Sequence, residues 1–152
     1  MGKKLSEHFT VEELIFSQTA MRKGIDNTPA PEIVRNLRRL AGVLEEVRAL
    51  LDAPVVISSG YRSPALNRAV GGAMNSAHMR GLAADLTVPD AGAVLQVARR
   101  IAASNIAYDQ LILEYGSWVH VALADDGASP RRQDLSIFKG TGYLPGIVAK
   151  PA

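Results

Sequence analysis

Tyr108-Asp109-Gln110-Leu111-Ile112-Leu113-Glu114-Tyr115-Gly116-Ser117-Trp118-Val119-His120-Val121-Ala122-Leu123 is the stretch that decides the fold. Two runs of strand-forming residues flank Gly116-Ser117, which reads as a hairpin with strands from Tyr108 to Tyr115 and from Trp118 to Leu123. Leu111, Leu113 and Tyr115, with Val119, Val121 and Leu123, suit a core, so odd positions face inward. Gln110, Glu114, Trp118 and His120 then share the opposite face. Directly opposed residues share a face, so the turn must hold an odd number of residues. Three residues, either Tyr115-Gly116-Ser117 or Gly116-Ser117-Trp118, meet that condition. Glu114 pairs with Trp118 in the first register and with His120 in the second, and both bring its carboxylate within reach of His120.

Upstream, Ser76-Ala77-His78-Met79-Arg80-Gly81-Leu82-Ala83-Ala84-Asp85 runs from a loop into a strand, Ala83 to Val88. Ala84, Leu86 and Val88 fall on one face, and Ala83, Asp85 and Thr87 on the other. Val55 to Ser59 is β-branched enough to form another strand. Ser63-Pro64 caps a short helix from Ala65 to Val70, stopped by Gly71-Gly72. Between Pro31 and Leu51, Ile33, Val34, Leu37, Leu40, Ala41, Leu44, Val47 and Leu51 recur at helical spacing, with charged residues on the solvated face.

At the N-terminal end, Thr10-Val11-Glu12-Glu13 is a capping box opening a helix to about Ser17, docked through Phe9, Leu14 and Ile15. Residues 20–31 read as a loop. Pro89-Asp90 caps a helix over about 91–104. The expectation is one α+β domain over 1–152, with a mainly antiparallel sheet flanked by helices. It has a helical part at about 10–51, a core carrying the chemistry at about 55–123, and an irregular tail over 124–152 with one further short strand at most.

Composition narrows the function classes. The 152 residues are 47% hydrophobic and 21% charged, ordinary for a globular protein. A net charge of +2, with both signs interspersed, argues against a nucleic-acid surface. With no cysteine there is no disulfide, thiolate metal site or cysteine nucleophile. No signal peptide is read in Met1 to His8, and no apolar run approaches the roughly 20 residues of a membrane span. Oligomeric state leaves no mark on the sequence.

The chemistry gathers on His78, Asp85 and His120. Two imidazoles and a carboxylate suit Zn²⁺ and leave a fourth position for water, the arrangement of a catalytic site. Such a water becomes a nucleophile near neutral pH, and Glu114, on the His120 face, is the candidate general base. Arg62, leaving the end of a strand, is placed to hold a substrate carboxylate bidentately, and Ser76 to bond substrate backbone. Taken singly, each has a plainer reading: structural histidines, a capping Asp85, a rim charge at Glu114, an edge aromatic at Trp118, a surface Arg62.

The stretch Ser76 to Asp85 resembles the SxHxxGxAxD motif of the zinc D-alanyl-D-alanine carboxypeptidase family, which includes D-Ala-D-Ala dipeptidases and phage L-alanyl-D-glutamate endopeptidases. Trp118-Val119-His120 resembles the family's second histidine motif. Ser59-Gly60-Tyr61-Arg62-Ser63-Pro64, Asp109-Gln110-Leu111-Ile112-Leu113-Glu114 and Phe9-Thr10-Val11-Glu12-Glu13-Leu14 look like its phage and prophage branch. The likeness runs from about Leu5 to Leu123.

It implies a hedgehog-like fold and one zinc ion on His78, Asp85 and His120, with Arg62 and Ser76 at the substrate; Trp118, on the His120 face, is a further candidate substrate contact. The implied function is hydrolysis of peptidoglycan stem peptides, as a D,D-carboxypeptidase or an L-Ala-D-Glu endopeptidase. The protein would be made in the cytoplasm and reach the wall on release or in a phage particle. One departure stands out. Better-studied members carry an acidic base three residues before the last ligand, where this chain has Ser117, so either Glu114 substitutes or activity is weak or lost. Some hedgehog domains keep the metal without peptidase activity, so the alternative is a non-catalytic, metal-stabilised wall-binding or virion protein.

Overall fold

The helical periodicity of the sequence is realised as α3 (Pro31–Leu51), which starts with proline at its first turn and ends at Asp52 in the left-handed conformation. Leu37, Leu40, Ala41, Leu44 and Val47 are wholly buried along its inner stripe. The computed structural model describes residues 2–152. Before α3 come α1 (Val11–Ile15) and α2 (Gln18–Lys23); after it follow β1 (Val56–Ser59), α4 (Pro64–Ala69), β2 (Ala83–Thr87), α5 (Val94–Ala102), β3 (Gln110–Glu114), β4 (Trp118–Ala122), β5 (Gln133–Phe138) and β6 (Gly142–Pro145). Short 3-10 turns occupy Ala77–Arg80 and Pro89–Ala91.

The six strands form one sheet in the order β1-β2-β4-β3-β5-β6. Every pairing is antiparallel except β3 with β5. The α+β expectation with a mainly antiparallel sheet therefore holds. One sheet face packs on the helices through Ala84, Leu86, Leu111, Leu113, Val119 and Val121, all essentially inaccessible, against α3 and α5. The other face carries the cleft described below.

The hairpin adopts the first of the two registers: Glu114 lies opposite Trp118 and Ile112 opposite His120. Its turn is Tyr115-Gly116-Ser117, with φ of 57° at Tyr115 and 62° at Gly116, closed by the Ser117 amide donating to the Glu114 carbonyl at 3.0 Å. Tyr115 accordingly departs from the inward parity expected of it. It sits in the turn, where the strand alternation has ended, and is 48% exposed.

Three other expectations change. The first helix stops at Ile15, and a second, α2, follows where a loop was expected. Ser17 caps α2 by accepting from the Ala20 amide, and Gly24 closes it at φ 65°. Pro89-Asp90 opens a 3-10 turn, and α5 begins only at Val94, beyond Gly92 at φ 100°. The tail is more ordered than its sequence suggests, since β5 and β6 continue the sheet. Ser136 and Phe138 turn inward while Leu135 and Ile137 face out. This inverts the usual apolar-in pattern, and the buried Ser136 hydroxyl is satisfied by donating to the Gly146 carbonyl and accepting from the Val148 amide.

Candidate metal centre

Asp85 on β2 and His120 on β4 are direct cross-strand partners, so the ladder itself brings their side chains together on one face. His78 arrives from the 3-10 turn before β2. Ser76 caps that turn by accepting from the His78 amide at 3.2 Å, and Gly81 ends it at φ 71°. A Cβ at Gly81 would also crowd Ile33 of α3, so both conformation and space require glycine there.

The ring of His78 is 2% exposed as a residue and is fixed at both nitrogens. Nδ1 donates to the Gly60 carbonyl at 2.7 Å, and Nε2 is turned toward Asp85 Oδ1 at 3.3 Å. His120 Nδ1 lies 3.0 Å from the same oxygen, and the two rings are 5.1 Å apart. Burial pushes the Asp85 carboxyl up, but hydrogen bonds and charge from His120 and His78 outweigh it and hold the group well below the usual carboxylate range.

This donor set fits a metal ion. One atom each from His78, Asp85 and His120 lie within 4.8 Å of one another. Tetrahedral ligands about 2.0–2.1 Å from an ion stand about 3.3 Å apart, close to the separations found. Nitrogen and oxygen donors without thiolate suit zinc among the first-row ions.

The donors form the floor of a cleft of about 610 Å³, also lined by Arg62, Glu114 and Trp118. Glu114 reaches it from β3, diagonal to His120 across the ladder, where Cβ atoms stand about 7–8 Å apart or somewhat less. Burial and the neighbouring Asp85 charge raise the Glu114 pKa, against opposing contributions from His120 and from Trp118. Trp118 Nε1 donates to Glu114 Oε2 at 2.9 Å. The indole thus holds the Glu114 carboxylate, the Ser76 oxygen accepts from the His78 amide, and both residues also line the cleft.

Arg62 is tied at both backbone and side chain. Its amide donates to the His78 carbonyl at 3.0 Å, and its Nη1 donates to Asn67 Oδ1 at 3.0 Å. Asn67, 2% exposed, is anchored in turn by donating to the Ala73 carbonyl. A side chain at Gly72 would collide with both Asn67 and Arg62. Neither Asn67 nor Gly72 stood out in the sequence as part of a site; Gly71-Gly72 read only as a helix stop. Gly60 is constrained too. Any Cβ there would overlap the Leu14 carbonyl, to which the Tyr61 amide donates at 2.7 Å.

Residues 7–122 match the sequence profile of the family described as Peptidase M15. This chain belongs to the peptidase M15 family. Within it, a stretch aligned over 53 residues is 47% identical to a protein of Streptomyces albus G named zinc D-Ala-D-Ala carboxypeptidase, covering 34% of this chain and 21% of that relative. The match therefore spans about a fifth of the relative's length. The M15 match ends at the close of β4, so β5, β6 and the residues they add to the cleft lie outside it.

Proposed function

We propose that this M15 protein is a zinc-dependent peptidase that hydrolyses peptidoglycan stem peptides, as a D,D-carboxypeptidase or an L-Ala-D-Glu endopeptidase. The observation that carries this reading is the convergence of His78, Asp85 and His120 on one point of a cleft whose next strand presents a half-buried carboxylate with a raised pKa. The name of the Streptomyces albus G relative supports the wall-peptide substrate.

His78 Nε2, Asp85 Oδ1 and His120 Nδ1 would hold the ion. When bound, zinc supplies Lewis acidity, polarising a carbonyl and lowering the pKa of a water from about 15.7 toward about 7. Glu114 accepts the proton from the attacking water and passes it to the leaving amine nitrogen as the peptide C–N bond breaks. Trp118 aims the accepting carboxylate through Oε2. Arg62, pinned by Asn67, presents positive charge to a substrate carboxylate at the β1 side of the cleft. Glu114 in this role takes the place of the acid that position 117 lacks.

Incubation of the zinc-loaded protein with purified peptidoglycan should release new amino termini. Glu114→Gln should abolish that release while leaving zinc content unchanged. Wall binding with no release from the zinc-loaded wild type would overturn the enzyme and leave a metal-stabilised wall-binding protein.

A further inference from the structure

The cleft does not end at Glu114. Register carries its row onward: Trp118 on β4 opposes Glu114 on β3, Glu114 opposes Ile137 on β5, and Ile137 opposes Tyr143 on β6. Tyr143 is therefore on the same sheet face as the proposed base, and it lines the same cleft as the metal donors. Its neighbour Leu144 turns the other way and packs on the core. Tyr143 is 60% exposed, a large apolar surface left in water. Burial and the nearby Glu114 and Tyr115 charges raise the pKa of its phenol. Trp118, whose ring meets Tyr115 at a tilt with centroids 5.6 Å apart, is the other aromatic side chain lining the cleft.

Arg62 lies at the opposite end, bonded to the His78 turn beyond β2. From β2 to β6 the sheet order gives four strand spacings, about 19 Å at roughly 4.8 Å each, which an extended peptide spans with about six residues. The donors lie on β2 and β4 beside Arg62, and the cleft continues past them over Glu114 on β3 to Tyr143 on β6.

We infer that Tyr143 forms a substrate subsite, stacking on and hydrogen-bonding the part of the stem peptide that lies across the scissile bond from Arg62. The assignment rests on the stem-peptide reading above. Tyrosine suits the task because its rigid ring gives contact area while its hydroxyl pairs with a peptide carbonyl or amide. The β5–β6 hairpin, which lies outside the M15 match, is then what lengthens the cleft.

The test compares wild type, Tyr143→Phe and Tyr143→Ala, zinc-loaded, on a full-length stem peptide and on peptides trimmed stepwise from either end. Tyr143→Ala should raise KM for the full-length peptide about tenfold with a smaller change in kcat, and Tyr143→Phe should fall between. Trimming one end should cost wild type the same contact, so the two losses should be non-additive for that end alone. In a Glu114→Gln background, calorimetric binding of the uncleaved peptide should weaken by the same factor, with an unchanged melting temperature. Equal penalties on every peptide, or none, would overturn the subsite. A wild type that binds the peptide but never cleaves it would overturn the peptidase reading instead, while the binding comparison still decides Tyr143.

Discussion

The two halves of the cleft are built to different tolerances. On the β2–β4 side the groups are tied to one another: the His78 ring to the Gly60 carbonyl, Asp85 to both imidazoles, His120 to Asp85, and Arg62 to His78 and Asn67. On the β3–β5–β6 side Glu114 is held by the single indole bond from Trp118, and Tyr115 and Tyr143 stand largely in solvent. Metal affinity depends on converging donors without rearrangement, so rigidity serves it. The substrate half must accept a ligand and a proton, and its groups are correspondingly freer. Binding of the ion and turnover are thus separable properties, resting on different strands.

The largest effect should come from the rigid half. His78→Ala removes a donor, and zinc affinity measured by competition with a chelator should fall by more than the roughly 10–100-fold typical of losing only a supporting partner, taking activity with it. Glu114→Gln should cost about 10²–10⁴-fold in kcat at unchanged zinc content. Loss of zinc in that variant would break the division between the halves.

The same division predicts a pH profile. Glu114 works as the carboxylate and its pKa is raised above the ordinary 4.5, so kcat/KM should fall as pH drops through that raised value. Trp118→Phe deletes a hydrogen bond that lowers the Glu114 pKa, so the acid limb should move to higher pH, with kcat reduced about tenfold for a charge-assisted bond of about 1.5 kcal/mol. The smallest effect on the pH profile should be Gly60→Ala, although the Gly60 carbonyl that holds His78 Nδ1 moves with it, so zinc affinity should fall as well. The substitution forces the β1 exit away from Leu14 and should destabilise the fold by about 1–3 kcal/mol, read by denaturant unfolding, before it changes the pH profile.

Much of the rigid half was legible in the sequence because local rules and tertiary packing agree there. The α3 stripe, the strand carrying Asp85 and the hairpin parity that puts His120 beside Glu114 all follow from periodicity. What escaped did so for physical reasons. The six residues of α2 bury only Ala20, so the segment has a cap at each end and no amphipathic signal between. In β5 a buried serine and outward Leu135 and Ile137 reverse the pattern that reveals a strand. Trp118 and Ser76 were visible as site residues, but their hydrogen bonds, to Glu114 and to the His78 amide, depend on side-chain directions that spacing does not encode. Asn67 meets Arg62, and Tyr143 meets the cleft, only through the fold.

The Tyr115-Gly116-Ser117 turn has a consequence for how this gene can change. Strand β4 delivers His120 to the cleft and Val119 to the core solely by counting from that turn. One codon inserted or deleted there would exchange the two faces, burying an imidazole and exposing valines. Lineages that keep the metal should therefore tolerate substitutions across these positions yet hold their number fixed.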